Sequence, residues 1–86
     1  MPYLVEVDAP ARKQIAKLDR QIRERVTAAI DQLAENPRAP GCKKLKGVPD
    51  RYRIRVADKY RVVYTVSDGV ALVLVIEVAK RDEVYR

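Results

Sequence analysis

The run VALVLVIEV, residues 70–78, is apolar at every position until Glu77. A surface helix or a half-exposed strand needs polar residues at regular intervals, so this run reads as an interior strand covered on both sides. It should lie centrally in a sheet. Two runs upstream, RYRIRV at 51–56 and YRVVYTV at 60–66, carry the period of two that marks further strands. The segment ADK joins them, and SDG leads into the last strand, with Asp68-Gly69 as a hairpin turn signal. Three strands, at about 51–56, 60–66 and 70–79, therefore close the chain.

Helical periodicity dominates the first half. PYLVEV opens as a short strand with Tyr3, Val5 and Val7 on one face and Leu4 and Glu6 on the other. Asp8 then offers a helix N-cap, with Pro10 in the first turn, where its missing N–H costs nothing. Ala11, Ile15, Leu18 and Ile22 follow at helical spacing, and Ile22, Val26, Ala29, Ile30 and Leu33 continue it. Asp19 marks a break between two helices, which should pair as an antiparallel hairpin. Asn36 and Pro37 stop the second one. The stretch 36–50, NPRAPGCKKLKGVPD, holds three prolines and reads as an ordered surface loop carrying Lys43, Lys44 and Lys46. The expected fold class is thus α+β: a small, antiparallel-rich sheet in the order β-α-α-β-β-β, with both helices packed on one face.

Parity decides where the charges go. Arg51, Arg53 and Arg55 share one side of their strand, and Arg61, Val63 and Thr65 share one side of the next, against Tyr60, Val62, Tyr64 and Val66. The tyrosine and valine side suits the helices. The arginines then lie on the face the helices leave uncovered, where only Glu77 and Asp58 offer opposite charge. Net charge is +6, and it is uneven: +1 over residues 1–42 and +5 over 43–86. Such a field attracts polyanions, and guanidinium groups grip phosphate oxygens in a two-pronged geometry.

Other chemistries are excluded by what the chain lacks. One cysteine, Cys42, permits no internal disulfide and reads as a bystander thiol, while the absence of histidine removes the usual metal-site spacings and the commonest general acid and base. The 86 residues form one domain, and no apolar run is long enough to span a bilayer. MPYLVEVDAP lacks the basic region and apolar stretch of a signal peptide, which suggests a cytoplasmic protein. Cleavage of RNA by its own 2′-hydroxyl needs a proton acceptor, charge stabilisation at the phosphorane and a proton for the 5′-oxygen. Arginines supply the second service. Tyr85, four residues after Arg81, is a candidate for proton handling or base stacking.

KLKGVPDRYRIRV, YRVVYTV and VAKRDEVYR together resemble the RelE family of bacterial toxins, within the RelE/ParE superfamily, over nearly the whole chain. The resemblance implies a microbial-RNase-like fold over residues 1–86. It also implies the toxin of a type II toxin-antitoxin system, a metal-independent and cofactor-free endoribonuclease that cleaves messenger RNA in the ribosomal A site. Its implied partners are a cognate antitoxin, the ribosome and its messenger, and operator DNA through the antitoxin. No membrane is involved, and the free toxin is expected to be a monomer.

Carried over by position, the family's basic residues fall on Arg53, Arg55, Arg61 and Arg81 and its C-terminal tyrosine on Tyr85. Arg55, Arg61, Arg81 and Tyr85 are then the catalytic residues, and Arg53, together with Arg51, Lys43, Lys44, Lys46 and Lys80 of the basic surface, the RNA-contacting ones. Arg61 and Arg81 would hold the scissile phosphate. Well-known members have lysines where this chain has Arg53 and Arg55. Because arginine stays charged, Tyr85 or Lys80 is left as the proton handler. A ParE-like gyrase inhibitor and a catalytically inactive nucleic-acid- or antitoxin-binding module remain as alternatives.

Overall fold

Two aspartates start the two helices. Asp8 is extended (φ −66°, ψ 156°), accepts from the Ala9 N–H at 2.9 Å and opens α1, Ala9–Ala16. Asp19 (φ −65°, ψ 163°) accepts from the Ile22 N–H at 3.0 Å and opens α2, Arg20–Gln32. The break expected at Asp19 is therefore a cap. Ala11, Val26, Ile30 and Leu33 are buried, and Ile15, Leu18, Ile22 and Ala29 pack against them half-buried.

The structure is a computed structural model that describes residues 2–80. Around the helices run β1 (Leu4–Val7), β2 (Lys43–Lys44), β3 (Arg51–Val56), β4 (Tyr60–Ser67) and β5 (Leu72–Lys80). They form one sheet in the order β1-β5-β4-β3-β2, with β1 parallel to β5 and all other neighbours antiparallel. The architecture is the expected α+β layer, with three differences. Lys43–Lys44 is a two-residue edge strand where a loop was expected, because Lys43 pairs with Arg53 and Lys44 with Tyr52. The β4–β5 connection is a 3₁₀ turn, Asp68–Val70, followed by Ala71 in the left-handed region (φ 52°), so β5 starts at Leu72 rather than near 70. Finally, β5 is interior but β4 holds the middle position, and only one face of β5 is fully covered. Leu72, Leu74 and Ile76 stay half-buried.

One irregularity in β5 matters for the site. Val63 pairs with Glu77 and Tyr64 with Val75, so Ile76 is an extra residue without a partner. This β-bulge reverses the parity of everything after it. Val73 and Val75 point to the helices before it, and Val78 does so after it, while Glu77 is turned to the open face.

The helix-side face holds Tyr52, Ile54, Val56, Val62, Tyr64, Val66, Val73, Val75 and Val78, all buried. Burial of each large apolar side chain contributes about 1.5–3 kcal/mol. Tyr64, fully buried, donates from its hydroxyl to the Pro37 carbonyl at 2.7 Å and lies near-parallel to Tyr52, with ring centroids 5.9 Å apart. Burial pushes the Tyr64 hydroxyl above its ordinary titration range.

Next to this pair, Arg38 fastens the loop after α2. Its Nη1 and Nη2 donate to the two Asp68 carboxylate oxygens at 3.1 and 2.7 Å, and its Nε donates to the Tyr52 hydroxyl at 3.1 Å. The guanidinium carbon lies 5.3 Å from the Tyr52 ring centroid. Tyr3 on the N-terminal side donates to the same Asp68 carboxylate, which pushes its own hydroxyl up in pKa. One carboxylate thus ties Tyr3, just before β1, and Arg38, in the loop after α2, to the β4–β5 turn. No helix among the described residues is long and apolar enough to cross a membrane.

Candidate RNA-facing site

Cross-strand register places the basic residues without reference to any ligand. On the face opposite the helices, Lys43, Arg53, Val63 and Glu77 form one row across β2, β3, β4 and β5. Arg55, Arg61 and Ala79 form the next row, and Arg51, Thr65, Leu74 and Glu6 form the row on the other side. Neighbouring members of a row are about 5 Å apart at the backbone, so guanidinium groups from adjacent rows reach a common phosphate.

Exposure varies across this face. Arg55 is exposed, Arg51 and Arg53 are half-buried, and Arg61 is 6% exposed. Sequence parity places Arg61 on the face opposite the helices, yet on the middle strand β4 its side chain is buried. A guanidinium largely out of water acts on a phosphate through a lower effective dielectric than one on the surface. The Arg51 Nε is also shut off from solvent and has no acceptor among the described residues.

The remaining basic residues divide. Lys46 lies exposed on the turn after β2. Lys44, opposite Tyr52, and Lys80, opposite Tyr60, have helix-side parity and point away from the arginine face. Lys80 lines a separate cleft of about 570 Å³ with Gln14, Lys17, Asp19 and Tyr60. There the Gln14 Oε1 accepts from the Val78 N–H at 2.7 Å. Arg81 and Tyr85 lie outside the described residues. Among the described residues no group of three or more His, Cys, Asp or Glu side chains could hold a metal ion.

From the sequence Glu77 reads only as a rare opposite charge on this face; the bulge at Ile76 that turns it there, opposite Val63 and diagonal to Arg61, leaves no trace in a run of apolar residues.

Residues 5–85 match the sequence signature of the family described as ParE toxin of the type II toxin-antitoxin system, parDE. The mRNA interferase toxin RelE of Escherichia coli K12 is 39% identical over 88 residues, which cover 99% of this chain and 92% of that one. A putative RelE-like toxin protein of Escherichia coli is 34% identical over 83 residues, covering 95% and 86% of the two chains. Among solved structures, the toxin in the intact E. coli RelBE toxin-antitoxin complex superposes with a TM-score of 0.80 at 37% identity, covering 91% of this chain and 95% of that one. The RelBE2 toxin-antitoxin complex of Mycobacterium tuberculosis gives 0.81 at 25% identity, covering 94% and 100%.

Proposed function

Because this chain belongs to the RelE/ParE family of type II toxins, we propose that it is the toxin of a toxin-antitoxin pair and an endoribonuclease that cuts messenger RNA in the ribosomal A site. The observation that carries this reading is the near-full-length likeness to an mRNA interferase RelE, joined to a sheet face that gathers Arg51, Arg53, Arg55 and Arg61. The exposed and half-buried arginines hold the messenger backbone. Arg61, buried beside them, stabilises the charge that grows on the scissile phosphate as the 2′-oxygen attacks. Arg81 and Tyr85, close to β5 in sequence, complete the set in this reading.

A RelB-like antitoxin would silence the toxin by covering this face, and operator DNA would be reached through that antitoxin. The working compartment is the cytoplasm, where ribosomes are. One observation favours a second reading: the matching family signature is that of ParE toxins, in keeping with a gyrase-directed relative. Purified programmed ribosomes with the messenger mapped to the nucleotide separate the two. Cuts within the A-site codon, absent from the same RNA without ribosomes, support the nuclease; intact messenger with inhibited gyrase supports the alternative.

A further inference from the structure

The arginines described on this face supply no proton acceptor, and Tyr85, the candidate read from the sequence, lies outside the described residues. Arg51, Arg53, Arg55 and Arg61 remain charged throughout the physiological range and cannot take the 2′-hydroxyl proton. Lys80, considered for that role on sequence grounds, has the opposite parity and faces the helix side. Lys43 sits on the edge strand β2, two strands away from Arg61, and Glu6 lies on β1, two strands away on the other side and two rows removed.

Glu77 is differently placed. Its strand, β5, is hydrogen-bonded directly to β4, and its register partner Val63 is two residues from Arg61. A carboxylate and a guanidinium at diagonal cross-strand positions have Cβ atoms roughly 7 Å apart, within reach of one nucleotide for two long side chains. Glu77 is exposed, and among the described residues it makes no ion pair and no side-chain hydrogen bond. That is unusual beside several guanidinium groups, for which a carboxylate is the natural two-pronged partner. The carboxylate is thus on the arginine face, with its oxygens uncommitted among the described residues.

We propose that Glu77 is a catalytic residue of the cleavage reaction, the general base that accepts the 2′-hydroxyl proton of the scissile nucleotide. This rests on the nuclease reading above. As the O2′–P bond forms, the O2′–H bond breaks and its proton passes to a Glu77 carboxylate oxygen; the P–O5′ bond breaks, and the 5′-oxygen takes a proton from water. The products are a 2′,3′-cyclic phosphate and a 5′-hydroxyl, and Glu77 returns its proton to solvent. Arg61 and Arg55, one row along, offset the repulsion between the carboxylate and the phosphate. The bulge at Ile76 acquires a purpose here, since an unbulged β5 would point Glu77 into the core.

The test is single-turnover cleavage on programmed ribosomes by the wild-type protein, Glu77→Gln and Glu77→Asp, with ribosome affinity measured in parallel. Glu77→Gln keeps the side chain's shape at an exposed position, so its retained binding also reports a folded protein. The rate should fall about 10²- to 10⁴-fold with affinity unchanged or tighter, and the rise of rate with pH on the acid side should flatten. Glu77→Asp, one methylene shorter, should lose less and keep the pH dependence. Equal cleavage by Glu77→Gln and wild type across the pH range, or a rate loss matched by lost binding, overturns the assignment while leaving the nuclease reading intact. A wild-type protein that cuts nothing overturns both.

Discussion

Arg55 on β3 stands directly opposite Arg61 on β4, one guanidinium exposed and the other buried. Like charges at directly opposed positions disfavour a sheet pair, and a phosphate bound between the two guanidinium groups would relieve that repulsion.

Replacing Arg55 by Gln should therefore stabilise the protein by about 0.2–1 kcal/mol in urea denaturation. The same change should weaken RNA binding and lower the slope of log affinity against log salt by about 0.7. Lys44→Gln, altered on the opposite face, should leave that slope unchanged. Equal slope losses for both would mean that RNA wraps the sheet edge rather than lying on one face.

Arg61→Lys preserves the charge but removes the planar two-pronged donor. Its cleavage rate should drop about 10²- to 10³-fold with ribosome binding nearly intact. Lost binding in proportion to rate would instead make Arg61 an anchor for the ground state.

Tyr64→Phe removes only the hydroxyl that donates to the Pro37 carbonyl. With that acceptor left in a buried setting, stability should fall by about 1–3 kcal/mol while cleavage by the folded protein is unchanged, because Tyr64 is on the helix side of the sheet. Calorimetry together with cleavage below the melting transition checks both halves.

Asp68 links stability to acid. Its carboxyl is held down at about 2, first by the two-pronged hydrogen bonds from Arg38 and then by the Tyr3 hydroxyl. Since the folded value is lower than the unfolded one, the contribution is complete above about pH 4 and is lost as pH falls towards 2. Melting temperatures of Asp68→Asn should accordingly decline less steeply over that window than those of wild type. Identical declines would show that this carboxylate does not report the fold.

Much of this architecture can be read from the chain because local patterns and global packing agree. The strand at 51–56 has the expected bounds, and Asp19 separates two helices by capping the second. What escaped detection depends on partners far along the chain. Two residues, Lys43 and Lys44, are too short a strand to alternate. Ile76 sits in a run where either register looks apolar on both sides, so a bulge is invisible until β4 is laid against it. Arg61 looks exposed by parity, and only the strand order shows that it lies in the middle of the sheet. The chemical consequence of each is local, but its cause is the register.

The parallel pairing of β1 with β5 joins residues 4–7 to residues 72–75. During synthesis the first strand therefore emerges long before its only partner, and the sheet cannot close until most of the chain has left the ribosome. The β3–β4 hairpin and its arginines can form earlier, but the bulged strand that carries Glu77 comes last. Until that strand is laid against β4, the arginine hairpin lacks the neighbour that completes its register.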